Sequence, residues 1–265
     1  METQRQRLKI LDILIDVIDM EQAIARIGRW IAQCRKVYIC VAPVSTVMSA
    51  VDDDNYRKVV NQADLVTPDG MPLVWIARAR GQRAIGRVCG PDLMRQICTD
   101  PCLAHWRHFF YGSTSRTLEE LQRQLCEWNP DIKICGAVSP PFREEAQKED
   151  PNVIEQINAA RADIVWVGLG APKQDVWMAL NRDALEAPVL IGIGAAFDFL
   201  AGIKSRAPRW MQRAGLEWLF RLWCEPRRLW RRYVIGNTRF CWELLKNWMG
   251  IRYSGACQES LKDVC

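Results

Sequence analysis

The chain has 265 residues, 49% of them hydrophobic and 25% charged, with a formal net charge of +5. This composition excludes a disordered chain, a collagen and a coiled coil, and the length suffices for one large buried core. Eleven cysteines, an odd number, fit reduced thiols better than a disulfide framework. The apolar stretches fall short of the about 20 residues that a spanning helix needs, and the N-terminus lacks a signal-peptide pattern. We therefore expect a cytoplasmic protein.

Helical and β-rich segments alternate along the chain up to Ser205. Apolar residues recur at helical spacing over residues 23–34, and a β-rich run follows at 37–41. The same succession predicts helices over 45–63 and 117–128, two helices that begin at Pro72 and Pro172, and one that ends at Ala162. Thr117 and Glu120 have the spacing of a capping box at the start of the helix over 117–128. Strands are predicted at 65–67, 109–111, 132–138, 164–167 and 189–193. This alternation predicts a Rossmann-like α/β fold. Its mostly parallel sheet would carry helices on both faces and a ligand crevice at the carboxyl ends of the strands.

After Pro208 the pattern becomes purely helical, with a break near Pro226. Residues 201–250 carry a net charge of +8 and six of the twelve tryptophans, whereas the rest of the chain sums to −3. We place a boundary near Ser205, which separates an α/β core at 1–205 from a basic, tryptophan-rich helical appendage at 206–265. Arginine and tryptophan on one helix are typical of a surface that binds anionic lipid headgroups. The same surface could bind the phosphates of a nucleic acid. A solvated helix whose tryptophans face the core is a further interpretation of the pattern.

Two glycine turns follow predicted strands, at Gly168-x-Gly170 and Gly192-x-Gly194. Lys173 and Phe197 occupy the position of the third glycine, so the complete dinucleotide fingerprint of a dehydrogenase is absent. The remaining pattern of strand, glycine turn and helix N-terminus can bind a diphosphate through backbone N–H groups. Ordinary α/β turns have the same appearance.

The sequence offers no convincing metal site, and we expect no metal cofactor. The D-x-D pattern within residues 52–54 falls inside a predicted helix, where a solvated surface is the better interpretation. Potential zinc ligands lie close together, but their spacings match no standard zinc pattern: Cys98, Cys102, His105 and His108.

The best candidate for a general base is a carboxylate, Asp69. Pro68 stiffens the chain before it and Gly70 permits a turn after it, so the side chain would be fixed at the end of a strand. An aspartate that serves only to form the turn is the alternative interpretation.

Segments over most of the chain resemble, in the same order, the WecG/TagA/CpsF glycosyltransferases, which form glycosyltransferase family 26. The matching segments are ADLVTPDGMPLV at 63–74, RVCGPDL at 87–93, VGLGAPKQD at 167–175, GAAFDFLAG at 194–202, RAP at 206–208 and GLEWLFRL at 215–222. The resemblance implies an inverting hexosyltransferase or N-acetylhexosaminyltransferase. Such an enzyme moves a sugar from a UDP-sugar to a polyprenyl-diphosphate-linked saccharide at the inner face of the cell membrane. The products would be exopolysaccharide, teichoic acid, common antigen or capsule.

The resemblance also implies roles for individual residues. Asp69 would be the general base, and Gln174 would bind near the donor or the acceptor. Thr46 falls where the family has a site threonine, although the preceding segment reads Ala42-Pro43-Val44 instead of the usual asparagine-containing one. Substrate binding is further assigned to the turn residues Gly70, Gly112, Gly168, Gly170, Lys173 and Gly194.

In the family, the C-terminal appendage is thought to deliver arginines to the departing diphosphate. Arg221 lies in a matching segment, and Arg228 and Arg232 follow at spacings of seven and four residues, which would align them on one helical face. Arginines bind phosphate bidentately and can replace a metal ion there. The expected partners are the UDP-sugar, the lipid-linked acceptor and an anionic membrane surface.

Two other functions compete with the transferase. A basic nucleic-acid-binding α/β protein would use the same arginines, but RNA-binding motifs are not seen and the positive charge is confined to one end. We therefore expect no nucleic-acid partner. A nicotinamide-dependent oxidoreductase is disfavoured by the missing third glycine. The sequence leaves homo-oligomer formation open.

Overall fold

A computed structural model describes residues 5–249. In chain order the strands and helices are β1 (Arg7–Ile10), β2 (Ile13–Asp16), α1 (Met20–Ala32), β3 (Val37–Ala42), α2 (Val44–Asp52), α3 (Asp54–Gln62), β4 (Leu65–Pro68), α4 (Met71–Ala79), α5 (Gly90–Thr99), β5 (Arg107–Gly112), α6 (Ser115–Trp128), β6 (Lys133–Val138), α7 (Pro151–Ala159), β7 (Ile164–Gly168), α8 (Lys173–Asn181), β8 (Val189–Gly192), α9 (Ala196–Leu200), α10 (Arg209–Arg213), α11 (Glu217–Cys224), α12 (Pro226–Trp230) and α13 (Gly236–Trp248). Residues 1–4 and 250–265 of the two predicted domains lie outside the described range.

A parallel sheet forms the centre of the fold. Within the described residues its strand order is β4-β3-β8-β7-β5-β6, and every neighbouring pair is parallel. The inner strands read as apolar runs such as VYICVA in β3 and VLIG in β8, and both are buried along their length. Continuous apolar runs are what a sheet covered on both faces requires.

Helices cover both faces of this sheet. One core cluster packs α2, α3, α4, α7 and α8 against side chains such as Cys40 and Val165. A second cluster packs α1, α5, α6 and α9 against alternate strand residues such as Ile39 and Trp166. Successive strand side chains point to opposite faces, so the two clusters use alternate residues of the same strands. The predicted Rossmann-like α/β fold is confirmed.

Two local predictions are wrong. The predicted helix at 45–63 is two helices, because Asp53 ends α2 and its side chain accepts hydrogen bonds from Asn55 N and Tyr56 N to start α3. Aspartate competes with the helical backbone in this way and is favoured at such a cap. The predicted capping box at Thr117 is also wrong, because Thr114 caps α6 and accepts from Thr117 N at 3.2 Å.

The C-terminal helices, defined as α10 to α13, follow the core as short helical pieces. α11 ends at Cys224 and α12 begins at Pro226, which lies in the first turn where the missing N–H costs nothing. A π-helical turn, Arg231–Ile235, connects α12 to α13. Along residues 5–249, no helix is long and apolar enough to cross a membrane.

Candidate active site

The carboxyl ends of all strands in the parallel sheet meet at one edge. The loop after β4 carries Asp69, the start of α2 after β3 carries Thr46, and the turn after β8 carries Gly194. The turn after β7 carries Gly170, and the loops after β5 and β6 continue along the same edge. With about 4.8 Å between neighbouring strands, the ends of β4 and β7 lie roughly 14 Å apart. The edge is therefore long enough to hold an extended ligand.

Asp69 is held at the rim of this edge by its own backbone. Its N–H donates to Ala42 O at 3.2 Å, and its carbonyl oxygen accepts from Arg87 Nε at 2.6 Å. The side chain is 25% exposed, and its Oδ1 lies 3.7 Å from Arg87 Nη2. Gly70 follows as the N-cap of α4. The carboxylate is thus fixed in position while one side stays open to a ligand.

Burial raises the pKa of Asp69, and the surrounding charges act in both directions. Arg87 opposes this shift, Glu217 adds to it, and Arg221 and Arg206 oppose it. A carboxyl group with a raised pKa is a stronger base once it is ionised. The environment of Asp69 therefore suits proton abstraction better than that of an exposed aspartate.

Of the three arginines assigned to the diphosphate, Arg221 and Arg232 lie close enough to Asp69 to act on its charge, whereas Arg228 pairs with Glu225 and is 55% exposed. Arg232 Nη2 donates to Ser45 Oγ at 2.6 Å, so it lies next to the start of α2. Burial lowers the pKa of Arg232, the positive charges of Arg221 and Arg228 lower it further, and Asp69 opposes them. Mutually repelling guanidinium groups at one place form a site where an anion is stabilised.

Gln174 links the two glycine turns. Its Oε1 accepts from Gly194 N at 2.7 Å and from Gly170 N at 3.2 Å, and the side chain is buried. These two N–H groups therefore bind Gln174 in this structure, while the sequence assigned both glycines to substrate binding. Gln174 fixes the spacing of the turns after β7 and β8.

A buried polar network lies beneath these turns. Tyr56 Oη donates to Asp175 Oδ2 at 2.6 Å, and the Cys40 thiol and Gln174 adjoin the same carboxylate. Burial raises the pKa of Asp175 to about 6, with these hydrogen bonds opposing the shift. Thr46 is buried, and its hydroxyl faces Tyr56 without a well-formed hydrogen bond to a described residue.

A cavity of about 540 Å³ occupies the other half of the edge, at the ends of β5, β6 and β7. Gly168 and Lys173 line it, and Asp69 does not. A Cβ atom on Gly112 would lie 2.7 Å from the carbonyl carbon of Gly168, so only glycine lets the β5 and β7 turns approach this closely. Gly112 thereby sets the close approach of these two turns next to the cavity.

Lys173 and Phe142 stand at the cavity wall. Lys173 Nζ donates to Arg143 O at 2.7 Å and lies 4.6 Å from the centre of the Phe142 ring. Phe142 is 87% exposed. Hydroxyl groups also line the cavity: Ser113, Thr114, Ser115 and Ser139. The lining thus combines an aromatic ring, a cation and several hydroxyls with the carboxylates of Glu145 and Glu149, and Glu149 pairs with Arg143.

Several side chains at the edge were not singled out from the sequence. Arg87 and Glu217 lie within the segments that match the family, but the sequence analysis gave them no role. Their charge within such a segment is the signal that could have identified them. Phe142 and Ser113 lie in loops after strands. For Ser113 the neighbouring glycine turn at Gly112 was the one sequence signal of a site, and Phe142 had none.

Several of the residues considered as metal ligands have other partners. His108 is buried and accepts from Trp166 Nε1 at 3.2 Å, and burial lowers its pKa to about 4. In the D-x-D pattern, Asp52 pairs with Arg239, Asp53 caps α3, and Asp54 pairs with Arg57. No group of three or more His, Cys, Asp or Glu side chains within residues 5–249 is arranged to hold a metal ion.

The chain is similar to known proteins over nearly its full length. The family model described as "Glycosyl transferase WecG/TagA/CpsF family" matches residues 8–253. Relatives named "N-acetylglucosaminyldiphosphoundecaprenol N-acetyl-beta-D-mannosaminyltransferase" come from three bacteria. The one from Bacillus subtilis (strain 168) is 31% identical over 73% of this chain and 75% of its own length. The one from Bacillus spizizenii is 29% identical over 77% of each chain, and the one from Staphylococcus aureus (strain NCTC 8325) is 26% identical over 85% and 87%.

Proposed function

The chain belongs to the WecG/TagA/CpsF family of glycosyltransferases, and from that premise we propose that it transfers an N-acetylmannosamine-type sugar from a UDP-sugar to a polyprenyl-diphosphate-linked saccharide. The names of the relatives support this donor sugar and an N-acetylglucosamine acceptor on undecaprenyl diphosphate. The product would be a lipid-linked precursor of a cell-surface polysaccharide such as teichoic acid, exopolysaccharide, common antigen or capsule.

The observation that carries the proposal is the ionisable carboxylate of Asp69 near Arg221 and Arg232. Asp69 takes the proton from the acceptor hydroxyl, whose oxygen then forms a bond to the anomeric carbon as the bond from that carbon to the diphosphate breaks. UDP leaves with the electron pair of that bond. Arg221, Arg228 and Arg232 stabilise the negative charge that develops on it. Attack from the face opposite the leaving group inverts the anomeric carbon.

We assign the cavity at the ends of β5, β6 and β7 to the nucleotide of the donor. A ligand with its base there and its diphosphate over the turns after β7 and β8 would extend its sugar toward Asp69 at the end of β4. Lys173 would add positive charge at the phosphates, and Thr46 would bind the sugar or the acceptor. Gln174 would act by keeping the two turns at a fixed spacing.

We place this chemistry in the core at 1–205 and contact with the membrane in the appendage at 206–265. A polyprenyl-linked acceptor stays in a bilayer, so the enzyme must reach the inner face of the cell membrane. Exposed tryptophans beside arginines on the C-terminal helices support an interfacial association of this kind, for example Trp223, Trp230 and Arg227.

Replacing Asp69 by asparagine tests the proposed function. Asp69→Asn keeps the shape of the side chain and removes the base, so we expect turnover to fall by roughly 10²-fold or more. UDP release from UDP-N-acetylmannosamine, in the presence of a lipid-diphosphate N-acetylglucosamine acceptor, measures it. Calorimetric titration should show that the variant still binds the donor.

Asp54→Asn is the matched control for this experiment. Asp54 belongs to the D-x-D pattern, is 73% exposed at the start of α3 and pairs with Arg57. We expect the control to keep its rate. A near-normal rate of Asp69→Asn would remove Asp69 from the mechanism, and a loss confined to Asp54→Asn would favour the D-x-D pattern instead.

A further inference from the structure

Two carboxylates contact the same guanidinium nitrogen of Arg87. Glu217 Oε2, at the start of α11, accepts from Arg87 Nη2 at 2.5 Å, whereas Asp69 Oδ1 lies 3.7 Å from that nitrogen. Both carboxylates are mostly shielded from solvent, with 17% and 25% of their side chains exposed. Arg87 therefore forms its close ion pair with Glu217 and leaves the Asp69 carboxylate at a longer distance.

A second arginine holds Glu217 in this position. Arg206 Nε lies 3.5 Å from Glu217 Oε1, and the same guanidinium binds both oxygens of Asp92, with Nη2 to Oδ2 at 2.8 Å. Glu217 thus lies between Arg87 and Arg206, and neither of its oxygens points freely into solvent. Its location is determined from two sides.

We infer that Glu217 is a positioning residue that sets the base strength of Asp69 by holding Arg87 Nη2 in a close ion pair, at a distance from the Asp69 carboxylate. The inference rests on the proposed function, because it takes Asp69 to be the base. An aspartate in a close ion pair with arginine is a weak base, since the pair stabilises its ionised form. By engaging Arg87, Glu217 keeps the Asp69 carboxylate available for the acceptor proton.

The charges around Asp69 agree with this role. The titratable or charged groups that act on it come from the core and from the C-terminal helices, and they are Arg87, Cys89, Arg206, Glu217, Arg221, Arg232 and Tyr233. Glu217 is the one carboxylate in this set of described residues. Its negative charge raises the pKa of Asp69, while Arg87, Arg221 and Arg206 lower it. Removing that charge would leave the arginines unopposed.

The same contact couples the core to the C-terminal helices. Asp69 and Arg87 lie in the α/β core, whereas Glu217 begins α11. The close Arg87–Glu217 pair exists only while α11 is docked on the core. The C-terminal helices would then contribute the arginines at the diphosphate and also the carboxylate that adjusts the base.

Glu217→Gln tests the inference through the pH dependence of kcat/KM. If Asp69 must be ionised, kcat/KM rises as pH increases through its pKa. The variant loses the negative charge that raises this pKa and frees Arg87 Nη2 to approach Asp69. We expect the rising part of the pH profile of kcat/KM, its acid limb, to move to lower pH. The value of kcat/KM on the plateau above it should fall roughly threefold to tenfold, because a base of lower pKa is less effective.

Two further variants separate this role from a structural one. Glu217→Asp keeps the charge and should keep the acid limb near its original pH. Glu243→Gln removes another carboxylate of the C-terminal helices, one that pairs with Lys246 in α13, and should leave both rate and profile unchanged. Thermal unfolding of each variant shows whether the protein remains folded.

An acid limb that stays at the same pH in Glu217→Gln, whatever the rate, overturns the inference. The inference is also overturned if Glu217→Asp moves the acid limb as far to lower pH as Glu217→Gln does. If Asp69→Asn retains its rate, the proposed function itself fails. If Asp69→Asn is inactive and Glu217→Gln keeps its profile, only the inference about Glu217 fails.

Discussion

Most tryptophans of the core, apart from Trp75, are buried or half-buried, whereas most tryptophans of the C-terminal helices, apart from Trp218, are exposed. Trp166 and Trp177 in the core are 0% and 2% exposed, whereas Trp223 and Trp248 in the C-terminal helices are 87% and 85% exposed. Trp177 stacks on Tyr111 with 4.3 Å between ring centres, and its Nε1 donates to Glu149 Oε2 at 2.9 Å. The same residue type thus stabilises the fold in one region and faces solvent in the other.

This difference indicates what each region requires. The core buries most of its apolar side chains against the sheet, and Phe240 of α13 joins one of its two clusters. The C-terminal helices leave large apolar side chains in water, among them Trp242 and Ile235, and carry arginines beside them. A cluster of this kind is typical of a surface that contacts another apolar phase. The proposed association with a membrane would supply that phase.

The largest expected effect is in the core, at Trp177. Trp177→Ala removes the stacking with Tyr111, leaves a cavity and takes a donor from the buried carboxylate of Glu149. We expect the free energy of unfolding to fall by about 3–5 kcal/mol, measured by urea denaturation. Trp177→Phe keeps an aromatic ring and should cost less. A wild-type midpoint for Trp177→Ala would contradict the structural role assigned to this residue.

A smaller effect, in a different measurement, is expected at Trp223. Trp223→Ala should change the free energy of unfolding by less than about 0.5 kcal/mol, because the side chain packs little in the isolated chain. If the ring enters an interface, its loss should weaken sedimentation with anionic vesicles roughly tenfold. Leu180→Ala, an exposed apolar side chain on α8, is the control and should bind vesicles as the wild type does. Unchanged binding of a Trp223→Ala/Trp248→Ala double variant would contradict membrane contact through these rings.

Much of the core could be predicted because its signals are local. Short apolar runs bounded by turn residues located the sheet strands to within about two residues, and the matching segments identified the glycosyltransferase family, which the family match confirms. The β1–β2 hairpin was missed because its turn at Leu11-Asp12 contains no glycine or asparagine, although Leu11 adopts a positive φ of 51°. Turn chemistry gives no signal when a nonpolar residue adopts this conformation.

The environment of the candidate base could be predicted only in part. Proline and glycine around Asp69 placed it at the end of a strand, and this position is what the structure has. Its electrostatic partners could not be found in the same way, because Arg87 is 18 residues away in sequence and the Arg87–Glu217 pair spans 130 residues. The packing of α11 on the core creates that pair, and no periodicity in the sequence records it. The bonding of Gln174 to two glycine turns is equally a product of tertiary packing.

The third expected effect concerns the buried carboxylate of Asp175, whose only short hydroxyl partner among the described residues is Tyr56. Its pKa of about 6 lies above the ordinary value of 3.8, so protonation favours the folded state. The stability gained from that proton is fully present below pH 3.8 and is lost as pH rises through 6. Tyr56→Phe removes a hydrogen bond that favours the ionised form, so the pKa rises further. We expect a loss of about 1–3 kcal/mol at pH 7.5 and a smaller loss at pH 4, measured by urea denaturation.

Tyr38→Phe is the matched control within the core, because Tyr38 Oη donates to the neutral carbonyl of Val59 at 2.7 Å. The free-energy cost of Tyr38→Phe should be similar at both pH values, and a pH dependence equal to that of Tyr56→Phe would contradict an origin in Asp175.

The corresponding carboxylate at the boundary with the C-terminal helices is Asp52, which pairs with Arg239. The side chains of Asp52 and Arg239 are 51% and 42% exposed. Solvent and salt screen such a pair, so Arg239→Ala should cost less than about 1 kcal/mol, and less still in high salt. If Arg239→Ala instead cost more than Tyr56→Phe, this exposed ion pair would stabilise the protein more than the buried hydrogen bond does. The contrast between buried interactions in the core and exposed ones at the C-terminal helices would then be reversed.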